Sequence, residues 1–244
     1  MTGRQRLLAA CRGNPVDATP VWFMRQAGGR LARYTMLRAR HDVLEIAKTP
    51  ALCAEVTVAA VDELGVDGAV LFADIMLLAE ALGVGVELTT SGPLIAQPVR
   101  SAPDVERLRA IDAEADLGFV LEAIARVRAA LGERAAVIGL VGGPFTLAAY
   151  LLEGAPSRDQ VHARSVMHGS PHMWHALLDR IATATAGYAR AQAVAATRSA
   201  GVGARTSASA GPPMRQVVQS DIEAPSTTFR CGCPGIARTL APLR

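Results

Sequence analysis

Three stretches of this 244-residue chain place chemically capable side chains where short apolar runs end. The first is Arg25-Gln26-Ala27-Gly28-Gly29-Arg30, directly after Pro20-Val21-Trp22-Phe23-Met24. An arginine fork donates two parallel hydrogen bonds, so Arg25 and Arg30 suit carboxylate ligands; they equally suit a solvated surface loop. The second is Asp74, which closes Leu71-Phe72-Ala73-Asp74. A carboxylate there can accept from two amine-type or pyrrole-type N–H donors or stabilise a developing cation, and it can equally cap a helix beginning at Ile75. The third is Gly142-Gly143-Pro144-Phe145-Thr146-Leu147, whose backbone N–H groups could cradle an anion. It has neither a Walker lysine nor G-x-G-x-x-G spacing, so nucleotide binding has little support. Tyr150 follows two turns later, facing either a cleft or the core.

Other reactive residue types do not assemble. Four of the five histidines fall between His162 and His175, with His172 and His175 three apart on a helix, but no nearby Cys, Asp or Glu completes a zinc set. Cys11, Cys53, Cys231 and Cys233 are scattered, as expected for reduced thiols rather than a disulfide framework. Cys231-Gly232-Cys233 lacks C-x-x-C spacing. We expect no metal site from these residues.

The elements needed to position these residues can be read from the pattern. Pro20–Met24, Ala69–Phe72 and Val137–Val141 are continuous apolar runs, as in parallel strands covered on both faces. Between them lie amphipathic helices. One starts with Thr49 as N-cap and Pro50 at the first position and stops at Gly65. A second spans Leu117 to Leu131, and a third begins at Ser170-Pro171. Residues 84–100 are expected to be short extended pieces around Gly92-Pro93. Such alternation implies an α/β fold with parallel strands, whose sites sit at the carboxyl ends of the strands. Residues 135–152 carry no charge, but Gly142-Gly143-Pro144 breaks them into strand, turn and helix rather than a membrane span.

The pattern stops after about Val194. Six of the 25 basic residues but only two of the 22 acidic ones lie in 195–244, together with five of the 14 prolines. Residues 1–194 are therefore nearly neutral, with 19 basic against 20 acidic side chains, and the net charge of +3 comes from the last 50 residues. A nucleic-acid binder would carry its excess along the folded part, so that class is set aside. No secretory leader is expected either, because the apolar run before Cys11 is too short.

Taken together, the motifs resemble the uroporphyrinogen decarboxylase family. Pro20-Val21-Trp22-Phe23-Met24-Arg25-Gln26-Ala27-Gly28 is similar to the family's P-V-W-x-M-R-Q-A-G-R. Gly139 to Glu153 is similar to G-x-x-G-x-P-F-T-L-A-x-Y-x-x-E, and Leu71-Phe72-Ala73-Asp74-Ile75 resembles L-F-S-D-I. The resemblance covers residues 4–194. The family's second arginine falls one place later here, at Arg30, with Gly29 in its position.

The resemblance implies a (β/α)8 TIM barrel of which only the N-terminal part is encoded, over residues 1–194. It implies a cytoplasmic homodimer that removes carbon dioxide from the four acetates of uroporphyrinogen III, giving coproporphyrinogen III in haem biosynthesis without metal or cofactor. It assigns catalytic roles to Asp74 and Arg25, and substrate contacts to Arg25, Gln26, Ala27, Gly28, Gly29, Arg30, Asp74 and Tyr150. The only partner expected is the small-molecule substrate, with no nucleic acid and no membrane. Beyond Gln192 the family's next strand, G-A-D-A-V-Q-L-F-D-S-W, is missing. Residues 195–244 are accordingly expected to be an aperiodic, out-of-frame tail, and the isolated polypeptide poorly soluble and inactive. Two other readings stay open: a related barrel methyltransferase of the cobalamin or methionine-synthase type, and a non-catalytic porphyrinogen-binding remnant.

Overall fold

The computed structural model describes residues 1–197 except Arg25, Gly29, Arg30 and Thr90. The expected arginine contacts, the Cys231–Cys233 pair and nearly all of the expected tail therefore lie outside the described residues. The chain opens with α1 (Gly3–Cys11), whose Thr2 and Gln5 form a reciprocal capping box. Two short helices follow, α2 (Ala32–Arg38) and α3 (Val43–Lys48), and then α4 (Pro50–Leu64), which has Pro50 at its first turn and ends on left-handed Gly65.

Strand β1 (Gly68–Val70) leads into α5 (Met76–Ala81), then a hairpin of β2 (Val86–Thr89) and β3 (Gly92–Ile95). Short helices α6 (Ala102–Glu106) and α7 (Ala113–Asp116) precede α8 (Gly118–Leu131) and β4 (Ala136–Ile138). The remainder is α9 (Pro144–Glu153), α10 (Val161–Gly169) and the long α11 (Pro171–Thr197). Strands β1 and β4 pair in parallel, Gly68 opposite Ala136, while β2 and β3 form a separate antiparallel sheet.

This is the repeating strand–helix order of one sector of a (β/α)8 wall. Helix α8 packs between α4 and α11, and its Val120, Ile124, Val127 and Leu131, spaced three to four apart, are buried against them. Buried apolar side chains from α4, β1, α5, α8, α9 and α11 merge into a single core. The hairpin and the segment after it dock on the C-terminal end of α9: Ile95 N–H donates to Gly154 C=O at 2.7 Å and Val99 N–H to Leu151 C=O at 2.8 Å.

The expected strand at Pro20–Met24 is not formed. The segment lies beside β1, but side chains take over most of the ladder. Val21 N–H donates to the Asp67 carboxylate at 2.8 Å, and Asp67 N–H donates to Val21 C=O at 2.7 Å. The same Asp67 accepts from Arg6 at 2.6 Å, and Arg6 also grips Asp17, so α1 seals the amino end of the sheet. The final helix also differs: α11 continues past Val194 to Thr197, because Ala195 and Ala196 are strong helix formers and Ala195 is buried on the core side.

Candidate active site

The carboxyl ends of β1 and β4 lie side by side, and the three motif segments converge there. After β1 the chain runs Leu71 to Asp74 and turns into α5. Asp74 is half-buried, and its Oδ1 accepts the Met76 N–H at 2.7 Å. The carboxylate thus fixes the turn that leads into α5 from one residue before its N-cap, which is Ile75. The Phe72 peptide is held from below: its N–H donates to Thr57 Oγ1 at 3.0 Å, and Cys53 Sγ donates to its carbonyl at 3.0 Å. Burial pushes the Cys53 thiol up to about 12, so this sulfur is a structural donor and not a nucleophile.

After β4, residues Gly139–Gly143 bend into α9. Gly142 meets the other segment closely, since a Cβ there would stand 3.1 Å from Ile75 Cβ and 2.9 Å from the Leu147 side chain. Only glycine lets the β4 turn approach the residue after Asp74 in this way. Gly143 is the extended N-cap of α9, Pro144 takes its first position, and Tyr150 projects half-buried from its second turn.

The first motif is anchored at both ends of its described part. Gln26 is 6% exposed, and its amide bridges alternate residues of β1: Nε2 donates to Gly68 C=O at 2.7 Å and Oε1 accepts from Val70 N–H at 2.9 Å. It imitates a parallel strand residue at the register of Ala69. Leu31 is buried and donates its N–H to Gly28 C=O at 2.9 Å. Ala27 and Gly28, both half-buried, lie between these anchors. Tyr34 on α2 stacks at 5.5 Å and 54° on Phe72, which brings the exit of this loop to the Asp74 segment.

Sequence reasoning missed a fourth element. Gln192 on α11 is 1% exposed, and its amide pairs with both polar groups of Leu140: Oε1 accepts from the N–H at 3.1 Å and Nε2 donates to the C=O at 2.9 Å. The side chain passes so close to Gly139 that any Cβ there would collide with it. A lone glutamine at the end of a helix carries no periodic signal that could have flagged it.

The arrangement combines an acid at the end of one parallel strand, a glycine-rich turn and tyrosine-bearing helix at the end of the next, and Gln26–Gly28 of the first motif held against β1. The Asp74 carboxylate can accept hydrogen bonds from a ligand's N–H donors. Among the described residues no group of three or more His, Cys, Asp or Glu could hold a metal ion, and no helix is long and apolar enough to cross a membrane.

Comparison with known proteins agrees with this reading of the fold. The family model described as uroporphyrinogen decarboxylase (URO-D) matches residues 2–209, reaching past the break in pattern near Val194. The chain is similar to the uroporphyrinogen decarboxylase of Carboxydothermus hydrogenoformans, 44% identical over 189 residues, which is 77% of this chain and 54% of the relative. It is similar to that of Syntrophotalea carbinolica, 47% identical over 186 residues, 76% of this chain and 54% of the relative. The chain thus spans about half the length of the curated relatives it matches. Among solved structures it resembles a methyltransferase from Methanosarcina mazei, with a TM-score of 0.64 and 24% identity over 80% of this chain and 56% of that one, a likeness of fold. With its parallel strand–helix wall, its three motif segments gathered at the strand ends and this match over most of its length, the chain belongs to the uroporphyrinogen decarboxylase family and is built as the N-terminal part of a TIM barrel.

Proposed function

We propose that this chain carries the acetate-binding and cation-stabilising part of a cofactor-independent decarboxylase that converts uroporphyrinogen III to coproporphyrinogen III in haem biosynthesis. The observation that carries the reading is the position of Asp74: a half-buried carboxylate at the carboxyl end of β1, against the glycine turn that leads to Tyr150.

In the proposed reaction a pyrrole ring carbon is protonated, and the ring becomes a cation that serves as its own electron sink. The bond between the acetate methylene and its carboxylate breaks, carbon dioxide leaves, and the electron pair neutralises the ring. The exocyclic enamine-type carbon then takes up a proton to become a methyl group, and the ring proton is returned. Each acetate therefore consumes one proton and releases one carbon dioxide. Asp74 accepts hydrogen bonds from the pyrrole N–H groups and stabilises the cation, a charge-assisted contact that strengthens as the charge develops. Arg25 and Arg30 bind the acetates, and Arg25 also serves proton transfer. Gln26, Ala27, Gly28 and Gly29 line the substrate loop, in which Gln26 supports the backbone through β1, and Tyr150 contacts the macrocycle.

The family resemblance also leads us to propose a cytoplasmic homodimer. Residues 195–244 are proposed to be read out of frame, and the isolated polypeptide to bind substrate with little or no turnover. The coding DNA beyond codon 194 tests the frame: an alternative frame encoding A-V-Q-L-F-D-S supports the proposal, and a clean frame ending at Arg244 contradicts it; efficient decarboxylation of uroporphyrinogen by the chain on its own contradicts the loss of turnover.

Binding tests the function. In anaerobic titration the chain should bind uroporphyrinogen, with eight carboxylates, more tightly than coproporphyrinogen, which has lost the four acetate carboxylates, and the preference should weaken as salt rises. Equal affinity for the two refutes acetate recognition.

A further inference from the structure

The five residues between β4 and α9 include three glycines, Gly139, Gly142 and Gly143, so their backbone has little stiffness of its own. Yet this is the stretch that sets the direction of α9 and thereby the place of Tyr150. Two contacts from α11 hold it. At one end the Gln192 amide pairs with the N–H and C=O of Leu140, an interaction equivalent to a hydrogen-bonded antiparallel strand pair. At the other, Trp174 meets Phe145 edge-on, with ring centroids 5.7 Å apart at 72°. The first is the more demanding, because Gln192 is buried and Gly139 has given up any side chain to admit it.

We propose that Gln192 is a positioning residue: it fixes Leu140 and through it the Gly142 turn against Ile75, so that Tyr150 and Asp74 present one surface to the substrate. The inference rests on the decarboxylase reading for the identity of that substrate. Gln192 touches no reacting atom and acts through the backbone of Leu140.

The amide is both donor and acceptor, which makes the role separable from simple space filling. Gln192→Leu keeps the volume and removes both bonds. Gln192→Glu keeps the acceptor for the Leu140 N–H but, when ionised, offers the Leu140 carbonyl no donor. Protonation restores that donor, and burial raises the pH at which it happens.

The test measures hydrogen-exchange protection of the Leu140 amide together with uroporphyrinogen binding, each normalised to the unsubstituted chain at the same pH. Gln192→Leu should lose about tenfold or more in both, at any pH. Gln192→Glu should keep most of the Leu140 protection, because its acceptor remains, but lose binding near about pH 8 and recover that binding as the pH falls toward about 5. Unchanged Leu140 protection in Gln192→Leu overturns the inference, as does lost protection with intact binding, or a Gln192→Glu protein with no recovery. If Gln192→Leu fails to fold, the pH recovery of Gln192→Glu decides. An unsubstituted chain that binds no uroporphyrinogen while Leu140 responds as described refutes the decarboxylase reading and the substrate role, and leaves only the backbone clip.

Discussion

Removing the Gln26 amide separates two roles for this residue, contact with substrate and support of β1. The structure commits both ends of the amide to the strand, at 2.7 and 2.9 Å. Gln26→Leu therefore deletes two hydrogen bonds and leaves the Gly68 carbonyl and the Val70 N–H without partners beneath a side chain that was 6% exposed. Each buried group left unpaired costs about 1–3 kcal/mol, so the pair should cost about 2–5 kcal/mol once partial relaxation is allowed. That is a large share of the ~5–15 kcal/mol that holds a typical domain. Urea denaturation followed by the fluorescence of Trp22 and Trp174 reads it directly. With a slope of about 2 kcal/mol per molar, the midpoint should fall by roughly 1–2.5 M. Below that midpoint, uroporphyrinogen affinity should fall only as far as the folded fraction falls. A variant with an unchanged midpoint and lost binding would refute the reasoning and make Gln26 a direct ligand.

Glycine substitutions should divide sharply. Gly139→Ala collides with Gln192 and should cost about 1–3 kcal/mol by overpacking, whereas Gly187→Ala, in mid-α11 with open space around it, should gain about 0.5–1 kcal/mol in the same denaturation assay. The backbone N–H of Arg100, with the Ser101 hydroxyl, the Ser101 backbone N–H and Arg107, lowers the Asp104 carboxyl to about 2 from an unfolded value of 3.8. Its contribution is thus present above about pH 4 and lost as pH falls toward 2, and Asp104→Asn should flatten that part of a stability-against-pH curve. Arg6 holds Asp17 below the usual carboxylate range in the same sense, so Asp17→Asn should flatten the acid limb further. Alkylation near neutral pH followed by peptide mapping should mark exposed Cys11 and spare Cys53 until the chain is unfolded; early labelling of Cys53 would contradict its burial.

Much of the wall was legible because its signals are local. Thr49, Pro50 and Gly65 bracket α4 as their backbone preferences require, although Thr49 makes no side-chain cap bond. The apolar runs at Ala69–Phe72 and Val137–Val141 overlap β1 and β4, each of which starts one residue earlier and stops at Val70 or Ile138, where the motif residues bend toward the site. The excursion around Gly92-Pro93 is a hairpin. Pro20–Met24 misled because an apolar run secures neither burial nor pairing by itself: Phe23 and Met24 are about half exposed, and Val21 is held by a carboxylate. The short helices α1, α2 and α3 rest on caps and on contacts distant in sequence, such as Arg4 with Glu133 and Lys48 with Glu80. At the site, the strand-end position of Asp74 and the place of Tyr150 two turns into α9 were legible, while the roles given to them rested on the family resemblance. The amide clips of Gln26 and Gln192 could not, because each depends on a backbone partner more than 40 residues away.

The central claim is that the Asp74 carboxylate recognises the pyrrole N–H groups of a porphyrinogen. Asp74→Asn is the discriminating change, since its amide oxygen can still accept the Met76 N–H and start α5 while the negative charge is gone. Anaerobic titration of this variant with uroporphyrinogen should show affinity reduced by at least about tenfold, as expected when charged hydrogen bonds worth about 1.5–3 kcal/mol are lost. An Asp74→Asn protein that is folded and binds uroporphyrinogen as tightly as the unsubstituted chain would contradict the account.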